Sequence, residues 1–248
     1  MKRRTLALLL ACPLLLASGA RAQTDAWKNT AELYFLGAGM SGTVGVGPVE
    51  THVAATFDQI LSNLQFGAMV NYRGESPTFA VTADVMYTAL GTTVNGPAVG
   101  FLTAKVDADM LIATVTAAYR PSKVVDLFGG LRLTSLKTTL VLTPAVGNNV
   151  RTGQLTETWV DPVIGLRVKA PIGKGWSLEG YGDLGGFGVG SDFTWILQAR
   201  VNWQISRVVH AGLGYRFLYQ NYATGSGADT FKWNVTTQGP LVAIGASF

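Results

Sequence analysis

Residues 193 to 204, FTWILQARVNWQ, alternate without a break. Phe193, Trp195, Leu197, Ala199, Val201 and Trp203 interleave with Thr194, Ile196, Gln198, Arg200, Asn202 and Gln204. Twelve residues of period two specify a β-strand with one oily and one polar face. Aromatic residues stand at the ends of the oily face and small or aliphatic ones in its middle. That is the profile of a strand whose oily side meets lipid, with aromatic girdles at the two water interfaces.

The pattern recurs along the chain. Val209, Ala211, Leu213, Tyr215, Phe217 and Tyr219 oppose His210, Gly212, Gly214, Arg216 and Gln220. Trp176, Leu178 and Leu184 oppose Ser177, Glu179, Tyr181 and Asp183, and Phe79, Val81, Val85 and Tyr87 oppose Thr82, Asp84 and Met86. Phe66, Ala68, Val70 and Tyr72 do the same against Gln65, Asn71 and Arg73. A hydrophobic content of 48% with 30 glycines and no long apolar run fits a membrane protein built of strands.

The first 22 residues read differently. Lys2, Arg3 and Arg4 precede an apolar run from Leu6 to Leu16 and an Ala20-Arg21-Ala22 site, which specifies a cleaved export signal ending before Gln23. A lipoprotein box around Cys12 is the weaker alternative, because it would leave an apolar PLLL at the mature end. Removing Lys2, Arg3, Arg4 and Arg21 takes the basic residues from 19 to 15, against 15 acidic ones. The mature chain, residues 23 to 248, is then neutral, and nothing in its charge points to nucleic acid. Cys12 leaves with the signal, which excludes disulfides and a thiolate nucleophile.

Connections alternate short and long. RGESP (73–77), RPSK (120–123), PIGKG (171–175) and QISR (204–207) are tight polar turns, while 90–100, 143–153, 186–192 and 221–237 are mostly longer and rich in Gly, Asn and Thr. This order specifies an all-β, antiparallel up-and-down transmembrane barrel as one domain, with ten strands and eight or twelve as alternatives. The strands fall near 30–40, 64–73, 78–90, 101–119, 123–140, 154–170, 175–186, 192–204, 207–220 and 238–248. Residues 41–64 remain apart: SGTVGVGPVETHVAAT suits an extra hairpin, and FDQILSNL, with Phe57, Ile60, Leu61 and Leu64 at helical spacing, suits a short helical turn near 57–64. That piece has the makings of a plug or gate.

The glycines of GFGVGSDFTW (186–195) invite a phosphate-loop reading, which fails. A dinucleotide fingerprint needs a glycine at the sixth place, where Ser191 or Phe193 stands, and no helix follows. The segment is instead an outer turn, whose glycines allow positive φ.

The polar faces stock the interior with Asp84, Arg132, Asp161, Arg167, Glu179, Asp183, Arg200 and Arg216. A near-balanced mixture favours an internal salt-bridge network over a charge-selective pore, since unpaired buried ions are costly. Trp176, Trp195, Trp203, Tyr215, Phe217 and Tyr219 form the membrane girdle, and Phe248 ends the last strand on the parity of Val242 and Ile244. His210 lies near Ser206 but at the short-turn end, and His52 is isolated, so neither builds a catalytic site. Lys105 shares a strand face with Asp107 and Asp109, which opposes a calcium site there, and no histidine or cysteine cluster suggests a metal.

Three stretches, ATFDQILSNLQFGAMVNY (55–72), DPVIGLRVKAPIGKGWSLEGYGDLGGFGVGSDFTW (161–195) and GYRFLYQNY (214–222) with GPLVAIGASF (239–248), resemble small proteobacterial outer-membrane β-barrel proteins, the outer membrane protein A/W-like barrels among them. The resemblance implies a Gram-negative outer-membrane location, lipids as neighbours and assembly by the barrel machinery, for which Phe248 is the signal. It implies no catalytic motif and no cofactor. The expected function is a structural, envelope-stabilising one without catalysis. The alternative is a narrow channel or lateral path for small or apolar solutes, with residues 41–64 as plug or gate.

Overall fold

The structure, a computed structural model, describes residues 27–95, 101–144 and 150–248. Residues 1–26, Cys12 and the expected export signal 1–22 among them, lie outside this description, as do parts of two connections, 96–100 and 145–149. The elements in chain order are β1 (Lys28–Leu36), β2 (Gly39–Val46), β3 (Val49–Ala55), α1 (Phe57–Ser62), β4 (Leu64–Glu75), β5 (Phe79–Asn95) and β6 (Phe101–Tyr119). They continue with β7 (Val125–Pro144), β8 (Arg151–Gly173), β9 (Trp176–Gly186), β10 (Phe193–Gln204), β11 (Val209–Thr224) and β12 (Phe231–Ser247).

Ten of these strands close into one antiparallel wall: β1, then β4 to β12 in chain order, with β12 returning to pair β1. Closure removes most of the free edges that would otherwise recruit other chains; among the described pairings β3 keeps one, being paired only with β2. Starting at Asn29 and following partners through Gly74, Val81, Ala117, Gly129, Ile164, Leu184, Trp195, Tyr219 and Thr236 brings the ladder back at Ser41, a stagger of twelve residues. Ten strands with that stagger must tilt steeply, by roughly 35–45°. Leu33, Ile164, Leu197, Leu213 and Val242 face outward and are all more than half exposed, while each has a buried inward neighbour: Glu32, Val163, Ile196, Gly212 and Leu241. An apolar skin of this extent has no place on a soluble surface and suits lipid.

β2 continues β1 in the same register on β12: Leu36 faces Leu241, and Gly39 faces Gln238. Between them stands Pro240, which has no N–H to give. The Gly37 N–H donates to the Pro240 carbonyl at 2.8 Å, and the Ala38 N–H turns back to the Leu36 carbonyl at 2.8 Å. β2 then folds onto β3 as a hairpin, so residues 39–55 extend the wall rather than plug the lumen. The helix α1 follows, opened by a capping box in which the Gln59 N–H donates to Thr56 Oγ1 and the Thr56 N–H to Gln59 Oε1.

Several strands outrun their expected ends. β5 continues to Asn95, β8 begins at Arg151, and β11 and β12 hold pairing from Thr224 and Phe231, across much of what reads as loop in 90–100, 143–153 and 221–237. The apolar alternation stops before the strands end, but the backbone ladder does not. Thr- and Val-rich segments keep their hydrogen bonds in water, and β8 reaches 23 residues where a bilayer needs about 9–11.

Candidate functional site in the lumen

The short turns and the described chain ends gather at one end of the barrel, here its lower end. Trp176 and Trp203 stack there on the outside, ring centroids 5.7 Å apart, next to the β8–β9 and β10–β11 turns. Trp195, Phe217 and Tyr219 cluster nearer the opposite end, whereas Tyr215 packs against Phe217 at 4.9 Å from a position opposite Ala199, the middle of β10. Phe248 is 70% exposed at the lower rim, and its backbone exchanges two 2.9 Å hydrogen bonds with Asn29, fastening the C-terminus to β1.

Inward positions of the lower half carry arginines and carboxylates in two groups, the larger a branching chain of shared ion pairs. Arg73 bonds Asp126 at 2.6 Å and Glu75 at 2.9 Å, and Arg120 reaches the same two carboxylates at 3.1 and 3.5 Å. Arg167 bridges Asp126 at 3.1 Å to Glu179 at 2.9 Å, and Arg200 joins Glu179 at 3.2 Å to Glu32 at 2.8 Å. Arg216 stands apart from this chain of ion pairs, on Asp84 at 3.4 Å and on the Tyr34 hydroxyl at 3.2 Å, and that hydroxyl donates to Asp84 at 3.0 Å. Each guanidinium presents a planar fork that meets two groups at once, which suits arginine to linking neighbouring carboxylates. The net surrounds a cavity of about 510 Å³ whose mouth, edged by Lys123, Lys174, Gln204 and Ser247, opens at the lower end.

Above it the lumen is apolar. Leu36, Met86, Ile112, Ile196, Leu218 and Leu241 project inward from six strands around the wall and pack into one buried cluster, with Tyr34 and Tyr181 against it. Tyr181 also stacks on Phe128 at 5.0 Å. Gly165 makes the space, because a Cβ there would lie 2.5 Å from Phe128 Cζ. No ion crosses such a layer without losing its hydration, at a cost far above thermal energy.

A second polar group lies beyond the layer. Arg132, fully buried, is ion-paired with Asp183 and donates to Thr194 Oγ1 at 3.2 Å and Thr114 Oγ1 at 3.4 Å. Asp183 also accepts from the Tyr181 hydroxyl at 2.8 Å. Asp161 accepts the Ser191 N–H at 2.6 Å, its hydroxyl at 2.8 Å and Trp159 Nε1 at 3.2 Å. The GFGVGSD turn, with Gly186 and Gly188 at φ 87° and 75°, is thereby tied to β8 through Ser191. Trp159 stacks on Tyr222 at 4.1 Å beside this group.

The eight interior charges singled out by parity thus divide between two places: Asp84, Arg167, Glu179, Arg200 and Arg216 below the apolar layer, and Arg132, Asp161 and Asp183 above it. Sequence reasoning overlooked Glu75 and Arg120, which read as turn residues, and the apolar layer itself. Its signal was present in Ile196, Leu218 and Leu241, apolar residues on otherwise polar parities. His210 Nε2 is 3.0 Å from Glu32, in room kept by Gly245, while Ser206 Oγ accepts the Val208 and Val209 N–H groups in its own turn. His52 is exposed on β3, and Lys105 pairs with Asp107 at 2.7 Å in an exposed position. Among the described residues no three metal-ligating side chains come together.

The wall has one interruption. The β1–β4 ladder ends at Leu33 and Val70, and higher up the Leu36 N–H donates to Met69 Sδ at 3.3 Å. Beyond that point β2 pairs with β3, and among the described pairings β3 has none with β4. α1 lies across the seam, with Phe57 edge-on to Phe35 at 6.2 Å. Beneath it an apolar cavity of about 90 Å³ is lined by Leu36, Phe57, Ile60, Leu64, Met69 and Met86 among others.

No family model matches the chain, and no curated protein shows significant sequence similarity to it. Similar solved structures exist at low identity. The attachment invasion locus protein Ail of Yersinia pestis is 12% identical, with 91% of this chain and all of that one covered at a TM-score of 0.41. The translocator domain of the autotransporter NalP from Neisseria meningitidis is 12% identical, covering 91% and 90% at 0.46. A Pseudomonas aeruginosa FadL homologue is 7% identical, covering 90% of each at 0.36. On its own geometry, the chain is a closed ten-stranded antiparallel β-barrel.

Proposed function

We propose that the chain is an integral outer-membrane protein of a Gram-negative cell whose barrel is closed to water and ions, with a structural, envelope-stabilising role and no catalysis. On this reading residues 1–22 are removed on export, the short turns and both ends of the mature chain face the periplasm, and the barrel assembly machinery recognises the strand ending in Phe248. The apolar cluster of Met86, Ile112, Ile196, Leu218 and Leu241 is the observation that carries it, because the charged net below stops at that layer. The test is conductance of the refolded protein in a planar bilayer, with folding checked by a heat-dependent gel shift. Electrical silence is expected; discrete, reproducible steps would replace this reading with a channel.

The interrupted seam between β1 and β4 favours a second reading, in which an apolar solute enters the small cavity sideways from the lipid, with α1 as the gate. An uncharged fluorescent hydrocarbon would then bind saturably, and Met69→Arg would abolish that binding in a protein that still folds. Binding unaffected by the substitution would leave the seam a packing detail.

A further inference from the structure

We propose that the lower cavity binds a small oxyanion carrying two or more phosphate or carboxylate charges, admitted from the short-turn end. Nine lysine and arginine side chains line it. Four carboxylates line it too, and Asp126 stands behind its arginines as a fifth. The five acids, Glu32, Glu75, Asp84, Asp126 and Glu179, meet the five arginines in ion pairs. Lys28, Lys123, Lys169 and Lys174 remain over, and none is ion-paired among the described residues.

Lys169 is the telling member. It is half-buried on β8 directly opposite Glu179, the acid it would be expected to hold. Glu179 is already saturated by Arg167 at 2.9 and 3.1 Å, Arg200 at 3.3 Å and Asn202 at 3.3 Å. Deeper in the same cavity, the Nε of the 5% exposed Arg216 has no hydrogen-bond acceptor, and the imidazole of His210 is occupied by Glu32. An excess of cations in a recess with low-dielectric walls concentrates positive potential and draws multivalent anions inward. Ammonium and guanidinium donors then hold their oxygens by charge-assisted hydrogen bonds. On the closed-barrel reading proposed above, the apolar layer makes the recess blind, so a bound anion is retained rather than passed on.

The test is calorimetric titration of the refolded protein in a neutral detergent at low salt, with inorganic pyrophosphate and, separately, citrate. Saturable one-to-one binding of either anion is expected, with sucrose giving none. Affinity should fall at least tenfold in Lys169→Met, recover in Lys169→Arg, and stay unchanged in Lys232→Met, whose exposed side chain pairs with Glu50 at the far rim. Binding of pyrophosphate alone assigns a phosphate site, and of citrate alone a carboxylate site. If Lys169→Met does not fold, the double substitution Lys28→Met and Lys174→Met at the mouth takes its place, with the same loss expected. No saturable binding of either anion to folded protein, or an affinity indifferent to these substitutions, overturns the proposal.

Discussion

Arg200 and Arg132 both project into the lumen from barrel strands, yet their surroundings differ in kind. Arg200 belongs to a branching net that shares carboxylates between several arginines, keeps a little solvent exposure and borders a cavity of about 510 Å³. Arg132 has one carboxylate, two threonine hydroxyls and no solvent at all. Between them lies the buried apolar cluster from Leu36 to Leu241, with a cavity on the side of Arg200, here the wet side, and complete burial on the side of Arg132, the dry side. The contrast teaches that inward polarity alone does not make a channel: on the closed-barrel reading, the apolar side chains of this one cluster close it.

Breaking the dry side should cost most. Arg132→Met leaves Asp183 buried without its cation and is expected to destabilise the barrel by about 3–5 kcal/mol, read from urea unfolding in lipid vesicles. Arg73→Met, in the wet net where Asp126 keeps two other arginines, should cost clearly less in the same assay. Equal losses would erase the distinction between the halves.

Thinning the layer comes next. Leu218→Ala should cost about 2–5 kcal/mol as a core truncation and, together with Ile196→Ala, should let a silent barrel conduct in single-molecule recordings. The outer face offers an independent check on orientation: Leu197→Arg or Leu213→Arg should lose roughly 2–4 kcal/mol near the bilayer midplane, and uniform tolerance of arginine there would contradict the lipid-facing assignment. Smallest of all is the rim pair of Lys232 and Glu50, both about half exposed, where Lys232→Met should change stability by about 0–1 kcal/mol.

Much of this architecture is written in period two. The alternation of residues 193–204 assigns every side chain of β10 to a face, and the order of tight and long connections gives ten strands in hairpin sequence. What it does not give is depth. Ile196 shares parity with Arg200, and nothing local tells that one joins a buried apolar cluster while the other joins a salt-bridge net; that depends on which distant strands the barrel brings together, setting Met86 and Leu241 in one cluster with Ile196. Glu75 and Arg120 were hidden for another reason. They sit at turns, where sequence reads solvent, but long side chains at a barrel rim fold back into the mouth. The course of residues 41–64 is half legible: a hairpin and a helical turn follow from pattern, whereas the hairpin's place in the wall follows from pairing with Phe231–Gln238 of β12, some two hundred positions away in the chain.

The central claim, closure at mid-height, is tested most directly by thiol accessibility. The mature chain carries no native cysteine if residues 1–22 are removed, so single cysteines can be placed at Gln198, which lines the lower cavity, and at Leu218 in the layer. With a small charged thiol reagent applied from the short-turn side of oriented vesicles, Gln198→Cys should be labelled quickly and Leu218→Cys hardly at all. Comparable labelling at both positions would mean that water and ions pass the layer, and the closed-barrel account would be wrong.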